Sequence, residues 1–365
     1  MEFLSNYGLF LAKTATIVIA IAAVIIMGIA ASMRQQGSEK GHLEVTKLND
    51  KLNELADAVK SMVLDQDDLK SEEKAQKEKE KELKKEKKLL KKKQKEIAKK
   101  KSSDESEDDE KEAAKQRIFV TDFDGDIKAS ATEELREVIS AILSIATEKD
   151  EVVLRLESSG GMVHSYGLAA SQLRRITEKN IPLTICVDKV AASGGYMMAC
   201  VANKIISAPF AIIGSIGVVA QLPNFNRLLK KHDVEYEMFT AGEYKRTLTM
   251  FGENTKKGRE KFQEELEDTH VLFKDFITEN RPGVEVEEVA TGEIWFGTRA
   301  IERCLVDELQ TSDQYLFDKH KENDIFEIQF VHKKTLTEKL GMNVENAMEN
   351  VVARWVQRFN RGFLS

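Results

Sequence analysis

Residues 14–33 read TATIVIAIAAVIIMGIAASM, twenty residues without a charged side chain. As a helix rising ~1.5 Å per residue the run is ~30 Å long, the thickness of a bilayer's hydrocarbon core. Lys13 and Arg34 bracket it. Its Ala-rich end fits a cleaved signal peptide, but the run exceeds the ~7–15 apolar residues of a signal core. An uncleaved anchor over residues 1–35 is therefore expected, and everything after it must fold on one side of a membrane. Arg34, Lys40, Lys47 and Lys51 follow the run, whereas only Lys13 precedes it. By the positive-inside rule this slight bias points the bulk of the chain to the cytoplasm.

Beyond the anchor, Val45, Leu48, Leu52, Leu55, Val59, Met62 and Leu69 recur at alternating spacings of three and four, with Gln66 interrupting. That is the narrow stripe of a coiled-coil seam, or of a helix packed on its own domain. From Asp67 to Lys101 the sequence is rich in Lys and Glu, and KSSDESEDDEKE then turns acidic. Such a stretch buries no core. It reads as a spacer, either a solvated helix laced by Glu–Lys pairs or a disordered tether. The interleaved Glu and the lack of interleaved aromatics argue against nucleic acid as a partner. Residues 36–116 are accordingly assigned to heptad helix and spacer.

The folded domain is expected over 117–335. RIFVTDFDGDI, VVLRLES, PLTICVD and KIISA read as strands, and HSYGLAASQLRRITEKN and SGGYMMACVA as helices. VEYEMFTAG alternates as a further strand, with helix following to Glu279. Strands alternating with helices predict an α/β domain with parallel strands.

Three glycine-rich turns stand out: ESSGGMVHSY, AASGGYMMA and IIGSIGVV. Ser193 lies at the strand-to-helix junction of the second. The N–H of Gly194 then points where an oxyanion would form, favoured by the helix dipole, and Gly160 and Gly161 can oppose it from the first turn. A serine nucleophile needs a base. The six histidines, His42, His164, His232, His270, His320 and His332, have no company that marks a Ser-His-Asp triad. A lysine can serve if desolvation brings its pKa from ~10.4 towards ~7–8. Most lysines here lie in solvated runs, whereas Lys245 in FTAGEYKRTLTMFGENT follows an apolar, glycine-containing turn. Taken alone, each has an ordinary reading: Ser193 as an N-cap, Lys245 as a surface lysine.

The second turn, GSIGV, GEYK and TGEIWFGTRAIERCLVDEL together, in that order, resemble the signal peptide peptidase A family of serine peptidases over roughly Arg117 to Leu309. The resemblance implies a ClpP/crotonase-like fold and a Ser–Lys dyad, with Ser193 as nucleophile and Lys245 as general base. It implies Ser215 as the serine that hydrogen-bonds that lysine, and oxyanion donors on the backbone of Gly194 and of Gly160 or Gly161. The family's first turn usually reads S-P-G-G; here Ser159 replaces the proline, which frees one φ. The expected function is that of a membrane-anchored serine endopeptidase acting on small or apolar residues of unfolded or membrane-derived polypeptides. It needs no metal or cofactor, and a homo-oligomer is expected. The family setting also implies a bacterial inner membrane with the catalytic domain on the periplasmic side. It outweighs the charge count, whose bias is slight.

Two rival functions share these features: a catalytically silent membrane scaffold that oligomerises through the heptads, and acyl-CoA chemistry on a crotonase fold, against which the Ser193–Lys245 pair argues. DFDGD partly matches a calcium loop through Asp122, Asp124, Asp126 and Glu133, but Ile127 stands where that loop needs glycine. A strand-ending turn is expected there. Cys186, Cys200 and Cys304 show no disulfide or metal spacing and are expected to be buried. In the tail, 336–365, Val351, Val352, Trp355, Val356 and Phe359 share a helical face, able to touch a bilayer or to pack on protein.

Overall fold

The structure, a computed structural model, describes residues 13, 14, 16, 41–63 and 115–332. The predicted span over 14–33 (apart from Thr14 and Thr16), the Lys/Glu-rich spacer and the amphipathic tail lie outside these residues. Among the described residues no helix is long and apolar enough to cross a membrane. The described residues divide into two compact units, those within 1–44 and 330–365 and those within 45–329. In the first, the ring of Phe330 packs against Gly41, which has no side chain to hold it off.

The elements run β1 (His42–Lys47), α1 (Leu48–Val63), β2 (Arg117–Gly125), α2 (Thr132–Ile145), β3 (Glu151–Ser158), α3 (Val163–Thr177) and β4 (Leu183–Val187). Then come β5 (Val190–Ala192), α4 (Gly194–Ala199), β6 (Lys204–Ser207), β7 (Ile212–Gly214), α5 (Asn226–Lys231) and α6 (Lys256–Asn280). The last are α7 (Val286–Val289), β8 (Ile294–Phe296), α8 (Gly297–Ala300), β9 (Glu308–Leu309), α9 (Ser312–Lys319) and β10 (Asp324–Val331).

The larger unit is a mixed α/β structure on a mostly parallel sheet, as the alternation of strands and helices predicts. Strand order runs β10-β2-β3-β4-β6-β9, every pair parallel. The sheet forks at β3, whose residues 152–155 pair with β4 while Ser158, at its end, pairs with Ala191 of β5. From there β5 pairs with β7 in parallel, and β7 with β8 antiparallel. β3 and β4 are buried almost throughout, and Val152–Leu154 of β3 with Leu183, Ile185, Cys186 and Val187 of β4 supply the apolar runs that a parallel sheet covered on both faces requires. α2 buries Leu135, Val138, Ile139 and Ile142, the spacing of one helical face. Leu48, Ile118, Val153, Cys186, Ile206, Leu316 and Ile325 form one core cluster.

Three local expectations change. Val45 lies in β1, and the helix begins at Leu48. Leu48 is buried, and Asn49 donates to the carbonyls of His320 and Asn323 and accepts from the Ile325 N–H. The start of the apolar stripe is thus used within the larger unit, while Leu55, Val59 and Met62 remain exposed. VEYEMFTAG forms no strand: Val234, Tyr236 and Met238 are exposed, and alternation without a neighbouring strand or a covered face has nothing to pair with. Cys186 and Cys200 are buried, but Cys304 is exposed at a left-handed turn (φ 56°) closing the short helical segment after α8.

Candidate active site

The parallel strands β2, β3, β5 and β7 end at one level, through the register Gly125↔Ser158, Ser158↔Ala191 and Ala191↔Ile213. The carboxyl ends of parallel strands are where α/β sheets offer a crevice, and all three glycine turns lie there.

Ser193 joins β5 to α4 with φ 53° and ψ −118°, a conformation that side-chain-bearing residues seldom adopt. Backbone bonds on both sides hold it: its N–H donates to the Gly214 carbonyl (2.7 Å), and its carbonyl accepts from Met197 (3.0 Å). Its side chain does not cap α4, so the N-cap reading of this serine does not hold. Gly194, the first residue of α4, has an N–H with no acceptor inside the helix.

The first glycine turn packs directly on the second. A Cβ on Gly160 would come within 2.6 Å of Gly194 N and 2.8 Å of the Ser193 Cβ, and Gly160 has φ +85°. Only glycine satisfies both demands. The two glycines of this turn part company in their hydrogen bonding. Gly160 N–H donates to Ser158 Oγ (3.0 Å), whereas Gly161 N–H makes no hydrogen bond among the described residues. A narrow pocket is lined by Gly161, Ser193, Gly194, Met197, Gly217, Val218, Thr269 and Phe273. Of the two glycines that could supply a donor from the first turn, Gly161 lines the pocket and Gly160 has its N–H engaged with Ser158.

Ser215 follows Gly214, which registers with Ala192, so Ser193 and Ser215 leave adjacent strands side by side. Ser215 also has positive φ (51°), and its N–H donates to the Glu293 carbonyl (2.6 Å). Lys245 is not brought to this pocket. It is exposed and lines a different cavity of about 710 Å³, with Leu222, Tyr236, Met238, Phe239 and Phe251. Burial of Lys245 was expected from its apolar flanks. Those flanks are themselves exposed, because the segment from 219 to 251 packs little of its apolar surface on this chain; Val219 is 81% and Phe239 90% exposed.

Thr269 and Phe273 of α6 line the Ser193 pocket, although nothing in their local sequence distinguishes them from the rest of a long amphipathic helix. Next to Thr269, His270 has a buried Nε2 with no hydrogen-bond partner among the described residues. Two of the acids of DFDGD are committed elsewhere. Asp122 pairs with Arg155 (2.5 Å and 2.8 Å), and Asp126 caps its own turn through the N–H groups of Lys128 and Ser130. The Ser130 bonds hold the Asp126 carboxyl below the usual carboxylate range. Among the described residues no cluster of His, Cys, Asp and Glu is arranged to hold a metal ion.

Two family models match the chain, peptidase family S49 N-terminal over residues 2–173 and peptidase family S49 over residues 175–325. The chain is 50% identical over 364 residues to the probable protease SohB of Haemophilus influenzae, covering 100% of this chain and 99% of that protein. It is 55% identical over 240 residues to the probable protease SohB of Buchnera aphidicola subsp. Acyrthosiphon pisum, covering 66% of this chain and 71% of the relative. Protease 4 of H. influenzae is more distant, 27% identical over 201 residues, which make up 53% of this chain and 32% of that protein.

Proposed function

Because the chain belongs to peptidase family S49, we propose that it is a membrane-anchored serine endopeptidase whose nucleophile is Ser193. The class of activity, a serine-type protease acting on polypeptides, follows from that membership. The observation that carries the assignment of the nucleophile is the turn at Ser193: a serine in a glycine-like conformation at the strand ends, its hydroxyl not spent on capping, in one pocket with Gly161 and Gly194.

In the reaction, Ser193 Oγ attacks the peptide carbonyl while the Lys245 amine accepts its proton. The N–H groups of Gly161 and Gly194 hold the tetrahedral oxyanion. Lys245 then protonates the leaving amine, and water hydrolyses the acyl-enzyme. Ser215, beside Ser193, orients the lysine. Lys245 has to travel to this pocket, and association of copies over the apolar segment 219–251 supplies a reason for it to move, since exposed apolar surface of this extent marks an interaction site. The pocket's Met197, Val218 and Phe273 suit small or apolar side chains at the cleavage point. The anchor is the uncharged run 14–33; the peptidase domain spans 117–335, on a ClpP/crotonase-like plan, and faces the periplasm from the inner membrane.

The separation of Ser193 from Lys245 into two cavities favours one rival, a catalytically silent scaffold on the same fold. A fluorophosphonate probe and a peptide-cleavage assay on the full-length chain separate the two. The protease reading expects wild type to label and cleave, Ser193→Ala to do neither, and Lys245→Ala to fold but not turn over. Wild-type protein that neither labels nor cleaves supports the scaffold. Turnover retained in Lys245→Ala would move the base elsewhere, with His270 the first place to look.

A further inference from the structure

One buried side chain touches the first two glycine turns and the turn after β2. Tyr166, in the first turns of α3, is 0% exposed, and its partner Ser158 is 1% exposed. The Tyr166 hydroxyl donates to the Asp126 carbonyl (2.7 Å) and lies 2.6 Å from Ser158 Oγ. A phenol has one proton, and Asp126 takes it, so the Ser158 hydroxyl must be the donor to Tyr166. The lone pairs of Ser158 Oγ are then free to accept the Gly160 N–H (3.0 Å). A single chain of bonds runs from Gly160 through Ser158 and Tyr166 to the turn after β2. The Tyr166 ring meanwhile packs against Gly194, leaving no room for a Cβ there. Burial pushes the phenol's pKa up from a value already far above neutrality.

We propose that Tyr166, acting through Ser158, is the positioning residue of the oxyanion site. The chain of bonds turns the Gly160 N–H away from the pocket, which leaves the next N–H, on Gly161, aimed into it. The ring sets the second donor, Gly194, at the opposing position. Ser159 does not lock the φ of this turn as a proline would, so the rigidity of the turn falls to these hydrogen bonds. The inference rests on the reading of Ser193 as nucleophile and of Gly161 and Gly194 as oxyanion donors.

The test uses the full-length chain, with fluorophosphonate titration counting competent Ser193 and kcat expressed per titrated site. Tyr166→Phe keeps the ring on Gly194 and deletes only the hydroxyl; Ser158→Ala cuts the same chain from its other end. Each is expected to lower kcat per site roughly 10–100-fold with KM within about twofold, since a misplaced donor weakens the transition state and not the bound substrate. The double variant is expected to lose no more than either single one, because one chain is cut in both. The pH profile should keep its shape, the base being untouched. Unchanged kcat per titrated site in both variants overturns the proposal, as does a loss that appears only as fewer titrated sites. Should Tyr166→Phe fail to fold, Ser158→Ala decides alone. Wild type that does not label, or Ser193→Ala that does, overturns the nucleophile reading and this inference with it.

Discussion

Replacing Ser193 with glycine is expected to stabilise the protein while removing the proposed nucleophile. Ser193 holds φ 53° and ψ −118°, and a side-chain-bearing residue in such a sparsely populated region is strained by about 1–3 kcal/mol. Glycine adopts it freely, but restores about 0.5–1 kcal/mol of unfolded-state entropy that folding must remove. The hydrogen bonds that hold this turn, Ser193 N–H to Gly214 and Met197 N–H to Ser193, are backbone bonds that glycine keeps. The serine side chain makes no cap that would be lost. The net gain is about 1 kcal/mol, or roughly 2–4 °C in Tm for a domain of this size. Ser193→Ala provides the comparison, because alanine retains the strain and should leave stability near wild type. Urea unfolding of the full-length wild type and both variants gives the difference. A control at Ser140, exposed within α2, should move the opposite way on mutation to glycine, by about 0.5 kcal/mol. If Ser193→Gly is no more stable than Ser193→Ala, the turn is not strained, and the account of its conformation as one held for function fails.

The first glycine turn should behave in the opposite sense. Gly160→Ala places a Cβ 2.6 Å from Gly194 N at a φ of +85°, so a loss of about 2 kcal/mol or more is expected from overpacking and backbone strain together, read as a lower urea midpoint; a midpoint equal to wild type would refute the close approach of the two turns. Acid should act partly through Asp307. Burial opposes its ionised form, but bonds from Arg281 (2.8 and 2.9 Å) and from the Ile205 N–H (2.7 Å) outweigh it and hold its pKa below the usual carboxylate range. A depressed folded pKa means stability that is fully present above the unfolded value of about 3.9 and lost as pH falls through the lower folded value. Asp307→Asn should therefore destabilise at pH 6 and flatten the fall in stability between pH 6 and pH 3; an unchanged slope in urea unfolding would show that the pair is not linked to folding.

The parts of the site that were legible in the sequence are those whose chemistry is local. Ser193 could be placed between a strand and a helix because VAA, SGG and YMMA are each short-range signals, and the other two turns are marked by their glycines, although the close approaches that require those glycines are made between turns far apart in the chain. Lys245 has apolar neighbours in the sequence, but local hydrophobicity does not say what those neighbours pack against. Here they line a cavity apart from Ser193. VEYEMFTAG shows the same limit: an alternating pattern forms a strand only where another strand presents hydrogen-bonding groups to it. Thr269 and Phe273 reach the pocket from a helix that begins more than sixty residues after Ser193, and no spacing rule spans that distance.

By itself, then, the sequence determined the alternation of strands and helices, the parallel sheet that follows from it, and a serine at a strand-to-helix turn among glycines. These depend on side-chain period and backbone freedom, which act over a few residues. Only the tertiary structure decided that Gly160 spends its N–H on Ser158 while Gly161 does not, and that Tyr166 joins the turns after β2, β3 and β5. It also decided that Leu48 and Asn49, read as part of a spacer helix, complete the core and the β10 edge. The hydrogen bonds among these turn on which donor finds which acceptor, and a donor left unpaired in the interior costs on the order of 1–3 kcal/mol. That choice is made among groups far apart in the chain, once the sheet has brought them together.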